Sequence, residues 1–574
     1  MSNIEIQGVS FLEGYLASSK ILEPHLLKNE KTMAWDGNIF VFTQKVKKDS
    51  FFGQVPVQVK STLVDEFSQN KTSHDFKKDD LRNYFLDGGV LIFIVEVNHE
   101  NDYEIYILSL MPSDLKVILD DIEHKGSDSK RLESERLPKD NIQFIESICK
   151  NFVINRNKQM SIKDLPSVPV FNAKELTITA VTDGRPLDEY LVNVPQYVYT
   201  IVDEIGSELF VDKIKFSKVE KRIDKPITIG DTVYFSYFQI ITEKQNKVIS
   251  FGNRVTYDIT SGKVSFHFSG NLTEQLHTNE FLIDMLKSKH FFIDGREVIQ
   301  RGTGDDPELL QELIIRHSRL KDIEALLNIF SVDPRRLDLS NLSKAHNQVL
   351  GIFVESMIYG KRRNNIPFTV GLQAIKICNL VLGVIIYKEG DDYKIINAFD
   401  ENIPVRFSLG DGKPEVQSSP YIGLSAELLE NMHNLDVDLI VQNVKEVEYT
   451  DLYAQNLNLL VLELINAYDE TEDEKFIITA EKIIDWLISH DKQNKIFIIN
   501  QYQIICRLRE LTDSETIELN NMKENSPDEL LCGISILLEN KTDFRMYFNR
   551  LSEDGKKFFM GFPIYTLAEK FDLV

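Results

Sequence analysis

At 574 residues, the chain is too long for one ordinary core, and its size predicts roughly three or four domains. Its 89 acidic and 65 basic residues give a formal net charge of −24, which excludes polyanion binding by bulk electrostatics; contact with nucleic acid would need a local basic patch or metal ions that screen the phosphates. The four cysteines, Cys149, Cys378, Cys506 and Cys532, stand far apart without a CxxC pair, which argues against a zinc ribbon or a disulfide framework and fits a reducing cytoplasm.

The opening residues MSNIEIQGVSFLEGYL lack a basic region followed by an apolar run, so no signal peptide is expected. Residues 7–29 read as mainly helical, with apolar Phe11, Leu12, Tyr15, Leu16, Ile21 and Leu22 and a break or kink at Pro24. Two strands are expected at Asn38–Val46 and Gln54–Ser61, joined by the turn KKDSFFG. The charged segment Asp65–Leu86 leads to the run Val90–Val97, whose sole charge is Glu96, as in a central strand covered on both faces. A further strand, Tyr103–Leu110, precedes a helix that Ser113 would cap. Helix, hairpin, helix, strand, strand, helix: this order predicts an α/β sandwich over residues 1–160.

SIKDLPSVPVF (161–171) has the prolines and small polar residues of a linker. Residues 172–300 predict a mostly β domain, with strands in TVYFSYFQIIT (232–242) and a hairpin in NRVTYDITSGKVSFHF (253–268). Residues 301–420 predict a mixed α/β segment: helical periodicity runs from Asp305 to Ile358, and strands follow at Ile375–Lys388 and Tyr393–Phe399. Residues 421–574 predict helices throughout, pairing Leu452–Tyr468 with Lys475–Ser489 and Asp528–Glu539 with Asp543–Leu551. That is the pattern of a tetratricopeptide-like array, although no clean period of about 34 residues is visible. The fold class expected is multidomain α+β. The most apolar stretches, Gly89–Val97 and Ile375–Tyr387, are too short to span a bilayer.

Three segments carry the chemistry: Glu13, then WDGNIFVF (35–42), then VPVQVKST (55–62). If the two strands pair as a hairpin, Asp36 stands at the mouth of the first. Gln58 and Lys60 leave the second on one face, because side chains alternate along a strand. Glu13, from the preceding helix, can approach that face. Two carboxylates, an amide oxygen and a lysine suit a hard divalent cation beside a scissile phosphate, since Mg²⁺ takes oxygen ligands and needs only one or two carboxylates. A bound metal would lower the pKa of a coordinated water, and Lys60 would orient or deprotonate that water. The expected catalytic residues are therefore Asp36, Gln58, Lys60 and Glu13. Glu13, Asp36 and Gln58 would hold Mg²⁺, or Mn²⁺ in its place.

Taken together, Glu13, Asp36-Gly-x-Ile and Gln58-Val-Lys60-Ser resemble the signature of the PD-(D/E)xK, restriction-endonuclease-like nuclease superfamily. The resemblance is closest to a branch found in bacterial and phage-related defence proteins, in which Gln commonly replaces the second acidic residue. DDLRNYFLDGGVLIFIVEV and YEIYILSLMPSDLK resemble that family's helix–strand and closing strand–helix segments, so the resemblance covers about the first quarter of the chain. It implies a restriction-endonuclease-like α/β domain with Mg²⁺-dependent endonuclease activity on nucleic acid, DNA favoured over RNA. It also implies a role in anti-phage defence or in control of mobile DNA, regulated by the C-terminal domains through a protein partner or self-association. INQYQIICRLRELTDSE and the residues after it resemble helical tails behind such domains. Neutral Gln58 leaves the site one charge short of an Asp/Glu version, which weakens metal binding; Trp35 crowds the site, either stacking on a base or packing the core.

Other features read more simply. GKRRNN (360–365) is a solvated loop rather than a phosphate contact, and DPRRLD (333–338) a helix-to-loop junction. His25 and His74 lack partners at metal-ligand spacing. GDGKPE (410–415) lacks the strand–loop–helix context of a phosphate loop, and neither GxSxG nor HExxH occurs. Two rival readings stay open: a non-catalytic nucleic-acid- or protein-binding scaffold built on a degenerate nuclease fold, and a regulator whose helical array carries the main function.

Overall fold

The computed structural model describes residues 3–27, 35–160, 175–202, 207–244, 246–299, 306–405, 407–409 and 416–574; the predicted linker at 161–171 and the GDGKPE segment lie outside them. The chain forms two compact units, Met1–Ile227 with Phe235–Ser265, and Thr228–Tyr234 with Phe266–Val574.

The first unit is built on a seven-stranded sheet of order β1-β2-β3-β5-β6-β7-β4. Its strands are β1 (Leu22–Leu26), β2 (Gly37–Phe42), β3 (Phe51–Leu63), β4 (Lys71–Lys77), β5 (Val90–Val97), β6 (Tyr103–Leu110) and β7 (Ser129–Arg136). Its helices are α1 (Asn3–Leu16), α2 (Lys78–Leu86), α3 (Pro112–Lys125) and α4 (Ile142–Gln159). Every residue of β5 is buried, as the largely apolar run predicts. Val9, Leu12 and Leu16 of α1 and Phe152 and Val153 of α4 pack with Val57, Val59, Phe93 and Val95 on one face. Ile92 and Ile94 pack on the other, with Leu81 and Tyr84 of α2 and Leu115 of α3. Glu96, the one charge in β5, is buried and accepts hydrogen bonds from Ser68 N–H at 2.8 Å and Ser68 Oγ at 2.7 Å. A buried carboxylate needs such donors, and here they pin the β3–β4 connection.

Two local readings change. The expected helix over 7–29 is α1 followed by β1, which pairs antiparallel with β2 and puts Pro24 opposite Ile39. An edge strand tolerates a proline because one row of its N–H groups needs no partner. Pro56 lies inside β3, but pairing with β5 begins only at Val57–Leu91, so its missing N–H breaks no ladder bond to β5. The cap of α3 comes from Asp114 rather than Ser113: its Oδ2 accepts from Met111 N–H at 3.0 Å, with Pro112 in the first turn.

Close packing of α1 on the sheet depends on Gly8. A Cβ built there would lie 2.0 Å from Ser61 Oγ and 2.8 Å from Ser61 Cβ. Gly8→Ala should therefore destabilise the first unit by about 1–3 kcal/mol through overpacking, and Ser61→Gly in the same chain should recover most of the loss in urea denaturation.

After α4, helix α5 (Leu187–Asn193) and the antiparallel strands β8 (Gln196–Val202) and β9 (Ser207–Ile214) join the first unit. Tyr199 Oη donates to Asn155 Oδ1 at 2.7 Å and receives Gln159 Nε2 at 3.1 Å, a buried network on α4. These bonds explain why the first part of the region read as a separate β domain packs with the N-terminal sheet. That region also holds a helix before its closing strand pair: α6 (Leu272–Ser288) opens on a capping box, with Asn271 Oδ1 accepting from Glu274 N–H at 3.0 Å and Glu274 Oε2 from Asn271 N–H at 3.0 Å.

In the second unit, α6 packs on α7 (Pro307–Ile329). A three-stranded antiparallel sheet follows, Gly371–Ile377, Leu380–Glu389 and Asp392–Asn397. The stretch read as one strand is split by a turn at Cys378, whose φ is 54°. From Ala426 to Lys570 the regular elements are all helices among the described residues. Leu457, Leu460, Leu464, Ile477, Ile484 and Leu487 share one core, and Phe544, Phe559 and Leu567 belong to another. Lys361 and Arg363 both pair with Glu355 and Arg362 lies 3.9 Å from Asp392, so each basic side chain of the GKRRNN patch has a carboxylate beside it. Among the described residues no helix is long and apolar enough to cross a membrane.

Candidate active site

β2 ends at Gly37, opposite Val57, while β3 runs on to Leu63 with β5 on its other side. Beyond Val57, β3 therefore has an edge that no other strand pairs with among the described residues, and Asp36 turns across it. Asp36 Oδ2 accepts from Val59 N–H at 2.8 Å and from Gln58 Nε2 at 2.5 Å. Among the described residues its Oδ1 accepts no hydrogen bond. In a strand, one residue's N–H and C=O point to the same edge. The Val59 carbonyl thus lies on Asp36's side, 3.5 Å from Gln58 Nε2. Tyr84 of α2 donates from Oη to Gln58 Oε1 at 3.2 Å. Burial pushes the Asp36 carboxyl above its ordinary pKa, the Val59 N–H pulls it down, the Glu5 charge raises it and the Gln58 amide lowers it.

Lys60 pairs with Ile94 and Gln58 with Ile92, so both side chains rise on the face covered by α2 and α3. Although β4 is the far edge of the sheet, it meets this face: Lys60 Nζ donates to the Asp75 carbonyl at 3.0 Å and lies 3.9 Å from the Phe76 ring centre. Burial lowers the Lys60 pKa, and the Asp80 and Asp75 carboxylates raise it. Beside it, His74 Nε2 is 3.3 Å from Thr62 Oγ1. Burial, and then Lys60, hold the imidazole below its ordinary pKa. Trp35 packs against the cluster containing Tyr84 and Ile94.

The structure brings Asp36 and Gln58 into contact, sets Lys60 on the same face of β3 as Gln58 with its ammonium at β4, and carries Glu13 on α1. Glu13 belongs to α1, whose apolar side packs on the Val57–Val59 face, opposite the face that carries Gln58 and Lys60. The α1 carboxylate whose charge acts on Asp36 is Glu5. It lies two turns earlier, roughly 12 Å along the axis at 1.5 Å per residue. Helix α1 runs from Asn3, four residues before the start that periodicity predicts.

Sequence reasoning missed Glu5, Tyr84, the Val59 carbonyl and the β4 backbone. An acidic residue in the first turn of α1 was the one available signal for Glu5; Tyr84 and Asp75 reach the site through tertiary packing that no spacing encodes. The donor set at this edge of β3, a carboxylate, an amide oxygen and a backbone carbonyl, consists of hard oxygens and fits Mg²⁺ better than a soft metal. Gln58 would turn its Oε1 toward such an ion and its Nε2 toward Tyr84 Oη, which can accept as well as donate. Tyr84→Phe should therefore leave the fold intact and weaken Mg²⁺ binding roughly tenfold, as loss of a supporting partner typically does; calorimetric titration of both proteins checks it.

Comparison of the chain with family models, curated proteins and solved structures returned no match.

Proposed function

We propose that the first unit is a metal-dependent nuclease hydrolysing phosphodiester bonds, with DNA favoured over RNA, in a chain that serves anti-phage defence or the control of mobile DNA. The observation that supports this reading most is the contact of Asp36 with Gln58 at the edge of β3, with Asp36 Oδ2 fixed by Val59 N–H at 2.8 Å and Lys60 two residues further along the strand on the Gln58 face. Asp36 Oδ1, Gln58 Oε1 and the Val59 carbonyl are the groups to hold Mg²⁺ or Mn²⁺. The ion would supply a water of lowered pKa and neutralise charge gathering on the phosphate.

The chain's own residues do the rest. Lys60 Nζ exchanges the Asp75 carbonyl for the attacking water or a phosphate oxygen, orienting one or offsetting charge on the other. Burial beside Phe76 favours its neutral form, which can accept a proton at Nζ, while Asp75 and Asp80 hold that tendency in check. Tyr84 sets the plane of the Gln58 amide. With a net charge of −24, the chain depends on the ion rather than on its own surface to receive a phosphate backbone. The second unit would confine cleavage to the right occasion through a partner or self-association.

Purified full-length protein incubated with plasmid DNA and Mg²⁺ should nick or degrade it, and a chelator should stop the reaction. DNA that stays intact across Mg²⁺ and Mn²⁺ titrations, with structured RNA intact too, would favour the non-catalytic scaffold instead.

A further inference from the structure

In the second unit, α7 presents Arg316 and Arg319, one turn apart, to a cavity of about 600 Å³ lined also by Phe266, Phe268, Ser340 and Glu312. That volume falls within the roughly 300–1,000 Å³ of small-molecule sites. The Arg316 guanidinium lies 3.9 Å over the Phe268 ring and donates from Nη2 to Gln275 Oε1 at 2.6 Å. Gln275 is itself buried and is fixed by donating from Nε2 to the Gly270 carbonyl at 3.1 Å. Stacked on a ring and hooked at one nitrogen, the guanidinium has its plane set. Its Nε is buried and has no partner among the described residues.

Among the described residues no carboxylate pairs with this cation. Burial alone acts on its pKa, pushing it down. Glu312, one turn earlier, lines the same cavity without forming an ion pair with Arg316, and Arg319 forms none among the described residues. Elsewhere in the same unit a buried arginine is matched: Arg507 is held by Asp469 at 2.6 Å. An arginine withdrawn from water without a counter-charge costs stability, and its unused donors form the planar fork that fits an oxyanion in two contacts.

The cavity holds more than an oxyanion needs. Ser340 Oγ accepts from Gly270 N–H at 2.7 Å, which leaves its O–H free to donate. Phe266 stands 5.6 Å from Phe268, edge to face, and adds a second aromatic ring to the lining. Anion donors at one place and an aromatic wall at another match a phosphate carried by a flat ring. We propose that this cavity binds a nucleoside phosphate, with the phosphate on the Arg316 fork and Arg319, and the base against Phe266. This inference stands apart from the nuclease reading and survives its failure.

Calorimetric titration of the full-length protein with AMP, ATP, adenosine, inorganic phosphate and citrate tests it. AMP or ATP should bind and adenosine should not. Arg316→Ala should weaken binding roughly 10- to 100-fold, the loss expected for charge-assisted hydrogen bonds. Arg316→Lys should weaken it by about tenfold, because an ammonium cannot reproduce the fork. Phe266→Ala should weaken AMP while leaving inorganic phosphate unchanged. Should Arg316→Ala fail to fold, the lysine and Phe266 variants decide the matter. Absence of binding by both nucleotides, wild-type affinity in the Arg316 variants, or citrate binding as tightly as AMP would overturn the proposal.

Discussion

Asp36→Ala is expected to abolish cleavage together with Mg²⁺ binding, whereas Lys60→Ala should abolish cleavage and leave the ion bound. The two differ because they touch the reaction differently. Among the described residues Asp36 is the carboxylate that lies at this edge of β3, and it fixes both Gln58 and Val59 N–H. Without it a divalent ion has only neutral oxygens. Lys60 rises from the same strand, but its ammonium is held by the Asp75 carbonyl and Phe76, on the side from which a phosphate would come. Losing it removes charge stabilisation where negative charge develops, a loss on the order of 10²–10³ in rate. Neither change should unfold the domain. Asp36→Ala forfeits two hydrogen bonds at a half-buried edge, about 1–2 kcal/mol, and burial already disfavours its charged form. Plasmid cleavage, calorimetry and thermal melts on both variants read these outcomes. Equal cleavage by both variants and wild type would remove the site from the account.

Asp469→Ala should be the most damaging single substitution in the helical region. The Arg507 side chain is 2% exposed and meets Asp469 through Nε at 2.7 Å and Nη2 at 2.6 Å. It also donates to the carbonyls of Gln503 at 2.9 Å and Pro563 at 2.8 Å. It thus joins helices Asp451–Thr471, Lys495–Leu508 and Pro563–Lys570. Deleting the carboxylate strands a buried cation at a cost of about 3–5 kcal/mol, much of the roughly 5–15 kcal/mol by which a domain is stable. An apolar pair, Asp469→Leu with Arg507→Met, should recover most of the loss, because no buried charge then lacks a partner. Urea denaturation followed by circular dichroism measures both. A loss under about 1 kcal/mol in Asp469→Ala would mean that Arg507 finds water or another acceptor.

Patterns that depend on one element were legible in the sequence. The apolar run of β5, the hairpin of β2 and β3, and the helix pairs starting near 452 and 528 all follow from periodicity of 2 or 3.6. Patterns that depend on a neighbour were not. Leu22–Leu26 carries apolar residues that suit a helix or a strand equally, and pairing with β2 decides for strand. Asn271–Glu274 is a helix start inside a β-rich stretch, visible as a capping box only when the residues around it are ignored. At the candidate site, the spacing of Gln58 and Lys60 fixed their common face, because side-chain direction alternates strictly along a strand. The contacts of Tyr84 and Asp75 come from the return of β4 and α2 over the sheet, a tertiary event with no local signature.

Anomalous scattering from crystals of the full-length protein grown in MnCl₂ tests the central claim most directly, because it locates the ion rather than its effect. One strong peak is expected within coordination distance of Asp36, Gln58 Oε1 and the Val59 carbonyl, absent in Asp36→Ala crystals. No peak at that edge, or a peak that persists without Asp36, would contradict it.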